Sequence, residues 1–170
     1  MKDFGLLLIR LVTGGLLAGH GAQKMWGSFG GPGFRGTSQR LDSMGLKPGS
    51  MWAAANVMGE LAGGALMALG FLNPIGPLLS ISAMAMATAK VHWNKPIWGT
   101  KGGPELPVTN AAIATAVGIG GPGKYSLDRL FRIRIPTSIL AIIFSATTLV
   151  LAYGISQKPE PQNQTGGGNA

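Results

Sequence analysis

The chain contains no cysteine and few charged residues, and each of these shortages excludes certain classes of protein. Without cysteine it has no disulfide scaffold, no cysteine-bound zinc or iron–sulfur cluster and no thiol chemistry of its own. Only 12% of its 170 residues are charged and 46% are hydrophobic. A soluble domain has about twice that charged share, ~25%, and disorder needs low hydrophobicity. The composition therefore indicates one folded membrane domain.

Five long segments of the chain are nearly free of charge: residues 4–26, 51–72, 75–93, 106–121 and 135–156. They carry only four charged residues, Arg10, Lys24, Glu60 and Lys90. About 20 apolar helical residues cross a bilayer core about 30 Å thick, and all segments except the fourth reach that length. A soluble bundle would need a polar face on each helix, which residues 138–150 lack. We therefore predict an all-α fold, a polytopic transmembrane helix bundle.

Four connections join these segments, and a tail follows the last one. Residues 27–50 and 94–105 read as polar loops, and the Pro- and Gly-rich residues 72–77 as a tight turn. Residues 120–134 form the fourth connection, in which Ser126 is placed to cap a short interfacial helix. Residues 157–170 are Pro-, Gln- and Gly-rich and are expected to be disordered. The first apolar run is longer than a signal-peptide core, so we expect no cleavable signal.

The chain has a net charge of +8, and most of its basic residues lie in these connections. Lysine and arginine fall beside the apolar segments and form no stripe interleaved with aromatic residues. We therefore expect contacts with lipid head groups and no nucleic-acid partner. The dense basic charge of the fourth connection favours, by a small margin, a cytoplasmic N-terminus. Trp26, Trp52, Trp93 and Trp98 are interpreted as aromatic anchors at the membrane interface.

Polar residues inside the apolar segments cluster on particular helix faces. At 100° per residue, Arg10, Thr13, His20 and Lys24 fall within an arc of about 80° on the first helix. On the second helix Asn56 and Glu60 share a face. Glycines on both helices (Gly14 and Gly21 on the first, Gly59, Gly63 and Gly64 on the second) predict close helix packing.

Glu60 is the most demanding of these groups, because a charge at the centre of a span costs about 2.5–3.5 kcal/mol on the insertion scale. Its partner is expected on the first helix, either His20 and Lys24 from one side or Arg10 from the other. Three roles stay open. Glu60 forms a structural ion pair that fixes helix register, handles a proton or ligand, or is neutral and hydrogen-bonded.

If the helices alternate in direction, His20, Lys24, His92 and Glu105 converge on one membrane face with Glu60 beneath them. Lys90 and His92 are two residues apart, so only one of them can face the bundle. His20 and His92 could in principle clamp a haem iron, but two lone histidines are weak evidence and we do not expect haem. No metal-ligand spacing, nucleophile elbow or phosphate loop is found, and no metal site is expected.

Several short motifs carry a family resemblance. In chain order they are Gly19-His20-Gly21-Ala22-Gln23-Lys24, Phe29-Gly30-Gly31-Pro32-Gly33, Gly59-Glu60-Leu61-Ala62-Gly63-Gly64, His92-Trp93-Asn94, Gly102-Gly103-Pro104-Glu105 and Gly121-Pro122-Gly123-Lys124-Tyr125-Ser126-Leu127-Asp128. Over residues 4–130 the sequence resembles the DoxX family of bacterial integral membrane proteins. The resemblance implies a four-helix membrane domain over residues 1–130 and a location in the bacterial inner (plasma) membrane as a multi-pass protein. Residues 131–156 then add a fifth, C-terminal transmembrane helix.

The resemblance also implies a membrane subunit of a respiratory or sulfur and oxidative-stress redox complex that contacts quinone. Some relatives are named as subunits of a thiosulfate–quinone oxidoreductase. A chain without cysteine cannot transfer sulfur, so it would not be catalytic alone and would need further redox subunits. The candidate polar membrane site then comprises His20, Gln23, Lys24, Glu60, His92 and Glu105, with Arg10 and Glu60 as a possible ion pair. The alternatives are a non-enzymatic scaffold or anchor for a soluble partner, and a carrier of small solutes.

Overall fold

The computed structural model describes residues 2–158, which contain eight α-helices and no strand. The helices are α1 (Lys2–Trp26), α2 (Gly33–Ser43), α3 (Gly49–Val57), α4 (Gly63–Leu69), α5 (Ile75–Ala87), α6 (Glu105–Gly120), α7 (Leu127–Phe131) and α8 (Thr137–Ser156). Two π-helical turns, Met58–Ala62 and Thr88–His92, join α3 to α4 and extend α5. Short 3₁₀ turns occupy Ser28–Gly30 and Gly99–Lys101. The predicted all-α fold is confirmed.

Two helices of this described part, α1 with 25 residues and α8 with 20, are long and apolar enough to cross a bilayer. The predicted second and third spans are each interrupted by a π turn, and α6 has 16 residues. Two such helices alone are weak evidence for a membrane protein. The four-plus-one arrangement of transmembrane spans therefore stays a prediction.

The glycine-rich faces of α1 and α4 pack directly against each other, as the sequence predicts. A Cβ atom added to Gly14 would lie 2.6 Å from the carbonyl oxygen of Gly64, and one added to Gly64 would lie 2.6 Å from the backbone nitrogen of Ala18. A side chain at either position would therefore push the two backbones apart. Gly21 lies as tightly against the backbone of Leu61. Close approach of this kind replaces the apolar driving force that helices lack in lipid.

Contacts farther along the chain show that the long helical segments alternate in direction. Gly63 of α4 lies against Gly76 at the start of α5, whereas Gly59 before it lies against Ala83 farther along α5. Gly118, near the end of α6, approaches Pro77 at the start of α5. Gly154, near the end of α8, contacts Trp52 and Met86. The buried core of this bundle consists of Leu17, Met67, Ala83, Met84, Ala114 and Val117.

The connection over residues 27–50 differs from its prediction as a loop, because it contains α2 and the first residues of α3. The Asp42 carboxylate in α2 accepts a 2.7 Å hydrogen bond from the backbone nitrogen of Gly49 at the start of α3. The buried hydroxyl of Thr37 donates to Gly33 O at 2.8 Å and weakly to Lys24 O at 3.4 Å. These polar contacts stabilise a helix whose residues are mostly polar.

The connection over residues 120–134 contains the predicted short helix, α7. The Ser126 hydroxyl accepts a hydrogen bond from the backbone nitrogen of Arg129 at 3.2 Å, which confirms the predicted N-cap. The buried Asp128 carboxylate accepts from the backbone nitrogens of Leu72 at 2.7 Å and Asn73 at 2.8 Å. This carboxylate therefore attaches the connection to the turn between α4 and α5. Of the tail predicted to be disordered, residues 159–170 lie outside the described residues.

Candidate functional site

Lys24 and Glu60 form an ion pair between α1 and the π turn of the second long helix. The Lys24 Nζ lies 2.5 Å from Glu60 Oε1 and donates a second hydrogen bond to Asn56 Oδ1 at 2.8 Å. The Glu60 side chain is almost fully buried and that of Lys24 is 28% exposed. Among the sequence alternatives, the structure therefore forms the pair with Lys24. We name Lys24, Asn56 and Glu60 the polar cluster.

The π turn places Glu60 at the contact with α1. Its wider turn inserts an extra residue between α3 and α4, so the side-chain faces on its two sides are rotated relative to an unbroken α-helix. Gly59, just before Glu60, lets the same turn pack tightly on Ala83 of α5. Single π turns inside helices occur frequently at functional sites. Glu60 lies at the centre of such a turn.

One carboxylate oxygen of Glu60 has no partner in the described residues. Oε1 accepts from Lys24, but the buried Oε2 accepts no hydrogen bond from any residue over 2–158. An unpaired buried carboxylate oxygen is costly, and a water molecule, a proton or a ligand at Oε2 would remove that cost. The polar cluster therefore presents a carboxylate whose open oxygen Oε2 can accept a proton or a hydrogen bond, beside the lysine that holds Oε1.

The other predicted site residues make contacts of their own. His20, which is exposed, has its Nδ1 3.0 Å from Gln23 Oε1 on the same helix. His92 Nδ1 lies 2.6 Å from Gly102 O, and Glu105 Oε2 accepts from the backbone nitrogen of Gly99 at 2.7 Å. His92 and Glu105 thus organise the connection over residues 94–105. Within residues 2–158 no hydrogen bond or ion pair joins His20, Gln23, His92 or Glu105 to the polar cluster, and their grouping into one site stays a prediction.

The possible ion pair between Arg10 and Glu60 is wrong. Arg10 is 1% exposed, and its guanidinium donates to the carbonyl oxygens of Pro122 and, at 2.5 Å, Tyr125. These carbonyls belong to the connection over residues 120–134, at the end of the bundle opposite Lys24. The two carbonyls thus satisfy the terminal nitrogens of the guanidinium, while its buried Nε has no partner among residues 2–158. Arg10 is therefore separated from Glu60 by the length of α1 between residues 10 and 24.

Lys90 also binds backbone carbonyls. Its Nζ donates to Gln157 O and, at 3.1 Å, to Ile155 O at the end of α8. A cation at a helix C-terminus satisfies carbonyls that lack an intrahelical partner and complements the helix dipole. Lys90 and His92 thus reach different elements, as their spacing predicts. Lys90 attaches α8 to the bundle.

Two residues of interest were missed or misread from the sequence. Asn56 was placed on the face of Glu60 but was not included in the candidate site, although the spacing i, i+4 was a usable signal. Trp52 was interpreted as an interfacial anchor, but its side chain is 4% exposed and its indole nitrogen is buried without a partner in the described part of the chain. The ring of Tyr153 stacks on it at 5.9 Å between centroids.

The residues over 2–158 contain no group of three or more histidine, cysteine, aspartate or glutamate side chains that could hold a metal ion.

Comparison with known proteins gives one family. The family model DoxX matches residues 5–93, just over half of the chain, and covers α1 to the second π turn. It therefore includes all three residues of the polar cluster and excludes α6, α7 and α8. No curated protein and no solved structure matches the chain.

Proposed function

This chain belongs to the DoxX family of membrane proteins, and we propose that it is a multi-pass inner-membrane subunit of a redox complex whose polar cluster binds and protonates quinone. Reduction of a quinone to a quinol takes two electrons and two protons. In this proposal a partner redox subunit supplies the electrons. The Glu60 carboxylate takes up both protons, one after the other, from water at the end of α1 that carries Lys24, and passes each to a quinone oxygen.

The unpaired Oε2 of buried Glu60 is the observation that carries this proposal. A proton relay must take up a proton on an open atom and release it to the reacting oxygen, and a carboxylate with one oxygen held and one open supplies such an atom. Lys24 holds Oε1 and remains partly exposed, so it connects the buried carboxyl to the aqueous end of α1. Asn56 adds an amide beside the lysine. Ionisable residues inside membrane helices commonly mark proton pathways.

The test is Glu60→Gln in membranes that contain the complete complex. Glutamine still accepts from Lys24 through its carbonyl oxygen but cannot transfer a proton, so quinone-dependent activity should fall at least 100-fold. Asp3→Asn is the matched control, because Asp3 is an exposed acid at the opposite end of α1 that, within residues 2–158, accepts only from the Lys124 backbone nitrogen. Normal activity in Glu60→Gln would overturn the proposal.

A second candidate function is a non-enzymatic scaffold, and the tight packing beside the ion pair favours it. Gly21 lies against Leu61, next to Glu60, so the Lys24–Glu60 pair can serve to fix the register of α1 on the second helix. In that case Glu60→Gln lowers the melting temperature in detergent and leaves the activity per folded complex unchanged. Affinity purification of the complete chain should then recover a soluble partner whether or not Glu60 is present.

A further inference from the structure

An open groove lies between the start of α1 and α7, at the end of the bundle opposite the polar cluster. It has a volume of about 870 Å³, and its lining includes Asp3 of α1, Lys124, Tyr125 and Ser126 of the connection over residues 120–134, and Arg129 and Leu130 of α7. Tyr125 and Leu130 are 51% and 70% exposed, and Lys124 and Arg129 are exposed as well. This α7 groove therefore combines two accessible cations with accessible apolar surface.

Buried groups hold the backbone of the α7 groove from inside. The Arg10 guanidinium donates to the carbonyl oxygens of Pro122 and Tyr125. The Asp128 carboxylate, which is also buried, accepts from two backbone nitrogens of the turn between α4 and α5. These contacts fix the shape of the groove without using the charges on its outer surface.

The cations on that outer surface are available to bind an anion. Over residues 2–158 the side chain of Arg129 makes no hydrogen bond or ion pair, and Lys124 Nζ contacts only the ring of Tyr125, 6.0 Å from its centroid. Arg132 and Arg134, which follow α7, are exposed and equally unpaired among the same residues. Within the described chain, the connection thus presents four cations without an acidic partner.

Asp3 is the one acid among the described residues that line the α7 groove. Its Oδ1 accepts a 3.0 Å hydrogen bond from the backbone nitrogen of Lys124, which partly offsets the carboxylate charge. Residues 120–134 carry four cations and one acid, so counting Asp3 as well still leaves a net charge of +2. A phosphodiester, with its single negative charge, is therefore favoured at this surface.

Apolar side chains on the same surface favour a lipid over a soluble anion. Leu130 and Phe131 of α7 are 70% and 63% exposed. Segments that combine exposed apolar side chains with lysine or arginine lie in the head-group region of a bilayer. The groove also adjoins the start of α1, which is long and apolar enough to cross a membrane. A soluble phosphate would use the cations but leave this apolar surface in water.

We propose that the α7 groove is a saturable site for one anionic phospholipid, with Lys124 and Arg129 binding the phosphodiester and Leu130 contacting the first carbons of an acyl chain. Lysine and arginine form charge-assisted hydrogen bonds to phosphate oxygens. Pockets of about 300–1,000 Å³ hold drug-sized ligands, which is enough for a phosphoglycerol head group. Arg132 and Arg134 add attraction to the negative surface of the same leaflet. The lipid stabilises this end of the bundle, and the inference does not depend on the proposed function.

Native mass spectrometry of the full-length chain in a non-ionic detergent, titrated with phosphatidylglycerol, tests the site. One lipid should bind at saturation, and more tightly than phosphatidylcholine, because the choline ammonium cancels the phosphate charge. Lys124→Gln/Arg129→Gln should weaken phosphatidylglycerol binding about tenfold, a factor that charge-assisted hydrogen bonds can supply. The matched control is Lys95→Gln/Lys101→Gln, which removes two exposed cations from the connection at the other end of the bundle.

The outcomes separate the site from general attraction to charge. Weaker binding in Lys124→Gln/Arg129→Gln with full binding in the control supports the proposal. Equal binding by the two double variants overturns the groove, and absence of saturable binding to the unaltered chain overturns the site. Equal binding of phosphatidylcholine overturns the anionic head group, and equal binding of glycerol 3-phosphate overturns the lipid in favour of a soluble phosphate ester. Should the groove variant fail to accumulate, Arg129→Gln against Lys95→Gln gives the same comparison.

Discussion

The two ends of α1 hold their buried cations in different ways. At one end Arg10 binds the backbone carbonyls of Pro122 and Tyr125, beside an Asp128 carboxylate that accepts from two backbone nitrogens, and only the donor Nε of Arg10 has no partner among residues 2–158. At the other end Lys24 binds the side chains of Asn56 and Glu60, and one oxygen of Glu60 stays unpaired. We name these the Arg10 end and the Lys24 end.

This difference distinguishes a charged group that stabilises the fold from one that belongs to a ligand site. Backbone partners are fixed by the fold, so the contacts of the Arg10 end stabilise the connection over residues 120–134 and offer little to a ligand. Side-chain partners that leave an acceptor open can bind something else. We therefore assign stability to the Arg10 end and ligand chemistry to the Lys24 end, and the following predictions test that division.

The largest expected effect is an all-or-none difference in labelling of the two ends. The chain has no cysteine, so Thr100→Cys and Lys124→Cys each create a single thiol at exposed positions of the connections at opposite ends. If α1 and its neighbours cross the membrane, an impermeant maleimide should label Thr100→Cys in spheroplasts and Lys124→Cys only after permeabilisation. Labelling of the two variants from the same side would contradict a multi-pass arrangement.

The second prediction removes the carboxylate of the Arg10 end. Asp128→Ala leaves the backbone nitrogens of Leu72 and Asn73 unpaired, and hydrogen bonds to a charged group contribute about 1.5–3 kcal/mol each. We expect the free energy of unfolding in detergent to fall by about 3 kcal/mol. Thermal unfolding provides the measurement. Asp3→Ala, which loses one exposed backbone contact, is the control and should be close to neutral. Equal stability of the two variants would break the assignment of stability to this end.

A third, smaller effect concerns the pair at the Lys24 end. Lys24→Met leaves Glu60 buried without its partner, whereas the double variant Lys24→Met/Glu60→Gln removes the charge as well. A double-mutant cycle from thermal unfolding should give a coupling of about 1 kcal/mol, within the range for residues in contact. Both variants should lack quinone-dependent activity. Additive effects on stability would show that the two side chains do not interact in the folded chain.

The smallest expected effect comes from Lys90, which lies in the second π turn yet binds backbone carbonyls like Arg10. If a cation bound by backbone carbonyls serves only stability, Lys90→Met should lower the free energy of unfolding by only about 1 kcal/mol and leave activity unchanged. Hydrogen exchange should increase in the last turn of α8. Lys95→Met, in the exposed connection that follows, should not change that exchange. Loss of activity in Lys90→Met would mean that the cation acts in the chemistry.

Helical periodicity and the cost of charge in lipid were enough to predict several features. They gave the glycine contact of α1 with α4, the Ser126 cap and one of the two partners proposed for Glu60. Each follows from a residue type whose face or position in a helix is fixed by spacing. The number of membrane crossings does not follow from the spacing of residues alone, and it stays a prediction.

Other features could not be predicted, because no residue type marks them in the sequence. The acceptors of Arg10 and Lys90 are backbone carbonyls, which every residue has, so the sequence could not identify them. The π turns at Glu60 and Lys90 likewise lack a sequence mark. His92 and Glu105 bind groups within ten residues of themselves, and such local contacts compete with the long-range convergence that helix alternation predicts. α2 forms in a polar, glycine-containing segment because Asp42 and Thr37 bind backbone groups.

The central claim is that the Glu60 carboxylate takes up a proton and passes it to quinone, and infrared difference spectroscopy tests it directly. In membranes with the complete complex, reduction of quinone should change the carbonyl stretching band of a protonated carboxylic acid, and Glu60→Gln should abolish that change. Asp3→Asn should preserve it. An unchanged carboxylic acid band in the Glu60→Gln variant would contradict the account, because the proton would then reside on another group.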